Sequence, residues 1–261
     1  MKPVKRQIER LGSQLSALII WVGGVGLMFT RALVRGPRPP WGISDIAYQI
    51  LQAGVRSLPM ATLMSVFLGM IFSWQFGEAL ADFGAVNTLG TVGALALVRE
   101  LVPAILAVTV GAKMATGMTA ELGSMKVSEQ IDAISSMGAD PIKKLVWPRL
   151  VATTVALPLL IGWGNIAALF GGMLIGDVVF DVAYTYFYDT FIDELELWHY
   201  TGCMVKAVVF GMIAGTIGCY QGFTTRFGTE AVGLSTTETV VATTIAVVIA
   251  DFALTTVFVQ V

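Results

Sequence analysis

The sequence predicts an all-α membrane protein, with an N-terminal interfacial helix followed by five transmembrane helices. Two observations carry this prediction. Apolar types make up 56% of the 261 residues and charged types only 13%, which leaves too few polar side chains to cover a water-facing globule. In addition, five windows of at least about 20 residues are nearly free of charge, and a bilayer core demands that length of a spanning helix.

The formal net charge of −2 and the scarcity of histidine and cysteine exclude several classes of function. No excess of positive charge is available for a nucleic-acid backbone. One histidine, His199, and two cysteines, Cys203 and Cys219, do not supply a zinc site, a disulfide framework or the histidine of a hydrolase triad. We therefore predict no catalytic residue and no resident metal, and a membrane-embedded enzyme is disfavoured.

The N-terminal segment, residues 1–40, contains an apolar stretch of about 16 residues, 15–30, which is short for a membrane span. Basic residues flank this stretch on both sides: Lys2, Lys5, Arg6 and Arg10 precede it, and Arg31, Arg35 and Arg38 follow it. Because basic flanks prefer the cytoplasmic side, we predict a helix that lies in the inner membrane interface. A spanning signal anchor is the alternative.

The core of the chain, residues 58–258, carries the five charge-poor windows, at 58–77, 88–112, 150–176, 200–220 and 239–258. Backbone groups inside a bilayer must satisfy one another, so each window is predicted to be an α-helix. The windows contain four residues of the types Asp, Glu, Lys and Arg: Arg99, Glu100, Lys206 and Asp251.

The connecting segments give an orientation, because Lys and Arg accumulate on the cytoplasmic side. Residues 58–98 hold no Lys or Arg, whereas the link 113–149 holds five. The link 177–199 has six acidic residues and no Lys or Arg, and the link 221–238 contains Arg226. This alternation predicts a cytoplasmic N-terminus, a cytoplasmic link between spans 2 and 3, and a C-terminus outside.

The inner link 113–149 has the pattern of an amphipathic helix. Apolar residues recur at helical spacing, at Val127, Ile131, Ile134 and Met137. Gly138 suits a helix end, and Asp140 with Pro141 predicts the start of another short helix. Pattern alone leaves open whether the first helix lies on the membrane or fits a groove in a cytoplasmic partner.

Glycines recur at close spacing within the predicted spans, which indicates close helix approach either within one chain or in a homodimer. They are Gly90 and Gly93, Gly172 and Gly176, and Gly211, Gly215 and Gly218.

The acidic link 177–199 is also rich in aromatic residues, which fits a short helix at the outer interface, either an aromatic belt or a docking surface.

Residues 99–149, "RELVPAILAVTVGAKMATGMTAELGSMKVSEQIDAISSMGADPIKKLVWPR", resemble the signature region of the MlaE/YrbE permease family, the membrane subunits of MCE-associated ABC lipid transporters. The matching positions are Arg99-Glu100-Leu101 with Pro103, Glu121, Gly123, Met125, Glu129-Gln130, Ala133, Met137, Asp140-Pro141 and Pro148-Arg149. Val102 departs from the pattern, because the family usually has glycine there. The likeness extends more weakly over the rest of the chain.

The resemblance implies a single permease domain over residues 1–261, located in the bacterial inner membrane. The implied function is transport of phospholipid between the inner and outer membranes, which bears on outer-membrane lipid asymmetry. The implied partners are a second copy of the chain, cytoplasmic ABC ATPase subunits, a periplasmic MCE-domain protein and a small cytoplasmic STAS-type subunit. The chain has no phosphate-loop motif, so we expect no cofactor in this chain and ATP hydrolysis in the partner.

The resemblance also implies a coupling helix seated on the ATPase. The predicted coupling residues are Glu121, Met125, Glu129, Gln130, Asp132, Asp140 and Pro141.

The charges within the spans are the predicted substrate-binding residues, because each costs about 2.5 to 3.5 kcal/mol to insert and usually faces a cavity or a partner. At 1.5 Å per residue, Arg99 lies roughly 16 Å from the outer surface, and Lys206 and Asp251 lie level with each other at about 9 to 10 Å. We predict that Arg99 and Lys206 attract a lipid phosphate while Glu100 and Asp251 hold them in place.

Other interpretations of these residues are open. The four charges could form two ion pairs that only lock helices together, or a relay in a secondary transporter or ion channel. Gln75, at the end of the first span, is a further polar candidate for the substrate site. His199 lies between Trp198 and Tyr200 and is expected to belong to an interfacial aromatic belt.

Overall fold

The computed structural model describes residues 2–37, 42–226 and 228–259, and within these ranges it consists of helices without a strand. In chain order the helices are α1 (Lys2–Arg35), α2 (Ile43–Ala53), α3 (Leu58–Asp82), α4 (Val86–Val127), α5 (Gln130–Ser136), α6 (Ile142–Phe180), α7 (Tyr184–Glu194), α8 (Leu197–Thr224) and α9 (Thr229–Val259). The predicted all-α class is confirmed.

Six helical segments of the described chain are long and apolar enough to cross a membrane. Five of them contain the predicted spans, in α3, α4, α6, α8 and α9. The sixth is Leu15–Arg35 of α1, because the helix continues past the apolar stretch as far as Arg35. By length and composition α1 therefore meets the requirement of a span, and its interfacial position stays a prediction.

The helices extend well beyond the charge-poor windows. The second predicted span, 88–112, lies in a helix that continues to Val127, and the third begins at Ile142 rather than near residue 150. Absence of charge marks the bilayer core, whereas Lys and Glu are good helix formers and do not end a helix. The link between these two helices is consequently short, and α5 occupies its centre.

The inner link differs from its predicted pattern in three places. The predicted amphipathic helix is divided, because Val127 ends α4 and α5 begins only at Gln130. Ile131 of the apolar stripe is buried, but Met137 is 76% exposed, so the stripe ends before it. The separate short helix predicted after Asp140 is wrong, because this segment is continuous with α6. A π-helical stretch, Ile142–Val146, precedes Pro148, so the missing N–H of the proline does not end the helix. Gly138 does end α5, with a positive φ of 79°.

Helices α3 and α6 cross at backbone contact. A Cβ atom on Gly69 would overlap with the carbonyl oxygen of Ala168, and a Cβ on Gly171 would overlap with that of Val66. Only glycine allows this approach, which lets the two backbones gain dispersion contacts that lipid does not replace.

The predicted packing glycines also contact elements of the same chain. Gly211 and Gly218 of α8 approach the carbonyl oxygens of Thr153 and Ala115, each of which would lie 2.6 Å from an added Cβ. Gly172 and Gly176 of α6 lie against Phe187, and Gly90 of α4 lies against the backbone of α7. Their close packing is thus explained within one chain, the first of the two alternatives that the spacing left open.

Helix α7 confirms that a short helix lies within the acidic link 177–199. Its Phe187 and Phe191 are buried against the helix bundle, whereas Tyr184, Tyr186 and Tyr188 are exposed. The aromatic residues therefore divide between core and surface. The acidic side chains Asp189 and Asp193 are exposed on the same helix, which leaves a negatively charged surface at this end of the molecule.

Candidate functional site: an ion cluster between membrane helices

The backbone of α4 changes to π-helix at Ala94–Leu101, which contains Arg99 and Glu100. Pro103 explains the position of this irregularity. In an α-helix the N–H of residue 103 would bond to the carbonyl of Arg99, and proline has no N–H. The Arg99 carbonyl instead accepts a hydrogen bond from Lys206 Nζ, at 3.3 Å. A single proline thus frees a backbone acceptor for the site.

Lys206 of α8 is the centre of the site and is only 2% exposed. Its Nζ lies 2.7 Å from Glu100 Oε2 and 3.3 Å from Asp251 Oδ1. It also donates to Thr255 Oγ1 at 2.8 Å. A buried ammonium is tolerated only when its donors are satisfied and its charge is balanced, and both conditions are met in this cluster.

Helix α9 contributes two groups from one face, because Asp251 and Thr255 are four residues apart. Thr255 Oγ1 donates to Glu100 Oε2 at 3.0 Å, which closes a ring with Lys206. Asp251 Oδ1 makes no hydrogen bond within the described chain, so its contact with Lys206 is that of an ion pair alone. The predicted level position of Lys206 and Asp251 is confirmed by their contact.

Arg99 is the more accessible cation. Its Nε lies 3.7 Å from Glu100 Oε1, and its side chain is 27% exposed. It lines a cleft together with His199, Trp198 and Phe258, and the two aromatic rings meet edge to face at 5.7 Å. Glu100 therefore bridges the two cations, and the four charges form one linked cluster rather than two separate pairs.

The structure brings four of the five predicted substrate-binding residues together and leaves Gln75 apart. Gln75 is exposed on α3, and none of the contacts described for the cluster reaches it. His199 borders the cleft beside Arg99, so its position is closer to the site than the expected aromatic belt implies. Thr255 was missed by sequence reasoning, although its spacing from Asp251 is a usable signal.

Three of the predicted coupling acids are held by cations of the same chain. Asp132 binds Lys126 at 3.0 Å, and Glu121 binds the buried Arg149 at 2.6 Å. The third, Asp140, forms an ion pair with Arg35 at 3.1 Å and accepts a hydrogen bond from the Ile142 amide at 3.0 Å. These contacts fix the shape of the link.

The other coupling candidates differ in exposure. Glu129 and Gln130 are exposed and make no hydrogen bond or ion pair through their side chains within the described residues. Glu129 also has a left-handed backbone with a φ of 58°, uncommon for a residue other than glycine. Met125 packs partly buried against the core, and Pro141 directly precedes α6. Glu129 and Gln130 are thus the groups available to a partner.

Long apolar helices enclosing a satisfied ion cluster define a multi-pass membrane protein with a polar site inside its bundle. A model of the family described as Permease MlaE matches residues 46–257, and the chain belongs to this family.

Similar proteins agree with this assignment. The chain is 36% identical over 204 residues to the probable ABC transporter permease protein slr1045 of Synechocystis sp., covering 78% of each chain. It is 34% identical over 240 residues to a probable ABC transporter permease protein of Rickettsia felis, covering 92% of this chain and 93% of the relative. It is 38% identical over 212 residues to the chloroplastic protein TRIGALACTOSYLDIACYLGLYCEROL 1 of Arabidopsis thaliana, covering 81% of this chain and 61% of that protein.

The chain is therefore a permease of the ABC transporter class, which implies ATPase subunits as partners. Permeases of this class are generally not enzymes themselves. The comparisons do not favour the alternative of a secondary transporter or ion channel.

Proposed function

We propose that this chain is the membrane subunit of an ABC transporter that moves phospholipid between the inner and outer membranes. The observation that carries the proposal is the position of Arg99, which lines a cleft beside the buried Lys206 and is paired with Glu100. A guanidinium binds a phosphate through paired, charge-assisted hydrogen bonds.

The name of one relative supports a lipid as the substrate class. The Arabidopsis protein is named for trigalactosyldiacylglycerol, a molecule built on diacylglycerol. Diacylglycerol lipids share their apolar part and differ in the headgroup, and a cation at the cleft selects a headgroup with a phosphate.

The proposal includes an orientation and a set of partners. The N-terminus and α5 lie in the cytoplasm, and the C-terminus and α7 lie outside, because Lys and Arg concentrate on the α5 side. Two copies of the chain bind two ATPase subunits at α5, with a small STAS-type subunit on the same side. An MCE-domain protein docks on the outer face, and the complex is located in the bacterial inner membrane.

Arg99→Glu is expected to remove bound phospholipid from the purified complex. Reversal of the charge replaces a phosphate ligand by a repulsive group, so retained lipid should fall by at least about tenfold. The measurement is native mass spectrometry of the detergent-extracted complex, with a phosphorus assay as a second readout. Arg31→Glu, an exposed site on α1 with the same charge change, is the control. Undiminished phospholipid in a well-folded Arg99→Glu complex would show that Arg99 is only structural.

Glu129→Lys is expected to release the ATPase while the permease stays inserted in the membrane. Glu129 has no partner within the described chain, so the substitution breaks no internal contact, and both residues face a similar backbone cost at positive φ. Co-purified ATPase should fall by about tenfold, the size of one lost charge-assisted contact. Asp189→Lys on α7 makes the same charge change at the other end of the molecule. Wild-type ATPase stoichiometry in Glu129→Lys would contradict the role assigned to α5.

A further inference from the structure

We propose that the turn joining α2 to α3 and the inner end of α4 form a second phospholipid site, which holds the headgroup phosphate of a lipid from the cytoplasmic leaflet. This site, the inner cleft, lies between α2, the turn at 54–57 and the turns of α4 from Lys113 to Glu121. The inference rests on the proposed function and its orientation, and it adds a binding site at the cytoplasmic surface, separate from Arg99.

Two cations meet at the mouth of the inner cleft. Lys113 Nζ donates to the Arg56 carbonyl at 3.3 Å and lies 3.4 Å from Ser57 Oγ, so both cationic residues are at one depth. Both side chains are exposed, and neither forms an ion pair within the described residues. A phosphate placed between them gains two charge-assisted contacts without competing for an existing salt bridge.

The acidic residue at the cleft does not cancel this charge. Glu121 lies on the wall of the cleft, but its carboxylate is bound at 2.6 Å by Arg149, which is 5% exposed. The described lining of the cleft therefore keeps a net positive charge from Arg56 and Lys113. Nearby, Gln52 Nε2 donates to Tyr48 OH at 2.8 Å, which adds polar groups of a kind that contact phosphate and glycerol oxygens.

The floor of the inner cleft is apolar. Met114 and Met118 form it and are each 5% exposed, and Gly117 between them has no atom within 4 Å of the position of a Cβ. The cavity measures about 680 Å³, within the range of small-molecule sites. Cations at the rim and methionines on the floor match a headgroup with the upper part of its acyl chains, at the membrane depth where phospholipids are the most abundant anions.

The inner cleft is separate from the ion cluster. Arg99 and Lys113 are 14 residues apart on α4, which is about 21 Å along a helix. That distance is most of the thickness of a bilayer core of about 30 Å. One helix thus carries a cation near the middle of the membrane and a second cation at the cytoplasmic interface.

A photoactivatable phosphatidylglycerol, with its diazirine close to the ester bonds, tests this proposal. The complete permease–ATPase complex is placed in nanodiscs of phosphatidylcholine with this probe, irradiated, and mapped by peptide mass spectrometry. We expect labelled peptides covering 48–57 and 113–121. The variant Arg56→Gln/Lys113→Gln should lower this labelling by about tenfold, because two phosphate contacts are lost. Arg31→Gln/Lys144→Gln removes the same charge from other exposed sites and should leave the labelling unchanged.

Three results would overturn the inner cleft: no label in these peptides, equal labelling in Arg56→Gln/Lys113→Gln, or an equal loss in the control variant. Loss of the ATPase from Arg56→Gln/Lys113→Gln with labelling unchanged would show that the cations dock a protein instead. The experiment is independent of the Arg99 test, because labelling needs neither transport nor the cleft at Arg99. Labelling retained in Arg99→Glu supports the inner cleft whether or not Arg99 holds lipid.

Discussion

Lys206→Met is expected to destabilise the permease severely. The change removes the cation that lies 2.7 Å from Glu100 and 3.3 Å from Asp251. It leaves the partly buried Asp251 without a counter-charge and Glu100 with Arg99 alone. Breaking a buried ion pair by deleting one partner typically costs about 3 to 5 kcal/mol. The measurement is thermal unfolding in detergent, followed by the fraction of monodisperse protein after heating.

Neutralising the unpaired acid provides the control. Lys206→Met/Asp251→Asn should regain much of the lost stability, because the remaining charges, Arg99 and Glu100, balance each other. Lys144→Met, an exposed lysine on the inner link, should unfold like the wild type. If Lys206→Met alone is as stable as the wild type, the cluster does not hold α4, α8 and α9 together.

Gly69→Ala/Gly171→Ala is expected to force α3 and α6 apart. Each added Cβ would overlap with a carbonyl oxygen of the opposite helix, and neither atom is the end of a flexible side chain that could move aside. Overpacking of this kind costs about 1 to 3 kcal/mol per site, and the two sites share one helix crossing. The readout is the yield of folded protein and its midpoint of thermal unfolding.

Whether the two substitutions lower or raise the stability distinguishes a packing effect from an effect of helix propensity. Alanine favours a helix over glycine by about 1 kcal/mol, so the same substitution at an open position should stabilise. Gly233 of α9 has no atom within 4 Å of a Cβ position, and Gly233→Ala is the matched control. A gain of stability in Gly69→Ala/Gly171→Ala would mean that the helices do not cross in contact.

The five predicted helices could be found from charge spacing because a bilayer excludes charge, and that energetic rule is local in sequence. The spacing of charges does not determine where a helix ends, which is why α4 and α6 are longer than predicted. Counting residues from the outer surface was sufficient to place Lys206 level with Asp251. The orientation of the chain in the membrane is a prediction that no contact within the chain tests.

The ion pairs and hydrogen bonds of the site were harder to predict from the sequence. Arg99 and Glu100 lie in a π-helical stretch, and the Arg99 carbonyl that Pro103 leaves free is found only when backbone donors are counted. The partners of Asp132 and Asp140 are set by tertiary packing of the inner link. Thr255 could have been predicted from its place one turn after Asp251.

The contact between Arg35 and Asp140 has a mechanical consequence. It joins the end of the first helix to the corner where the chain re-enters the membrane, and Gly36 lies against the Trp147 ring at the same corner. Any displacement of this corner therefore moves the end of α1 as well as α6. The connection involves a segment outside the family match at 46–257.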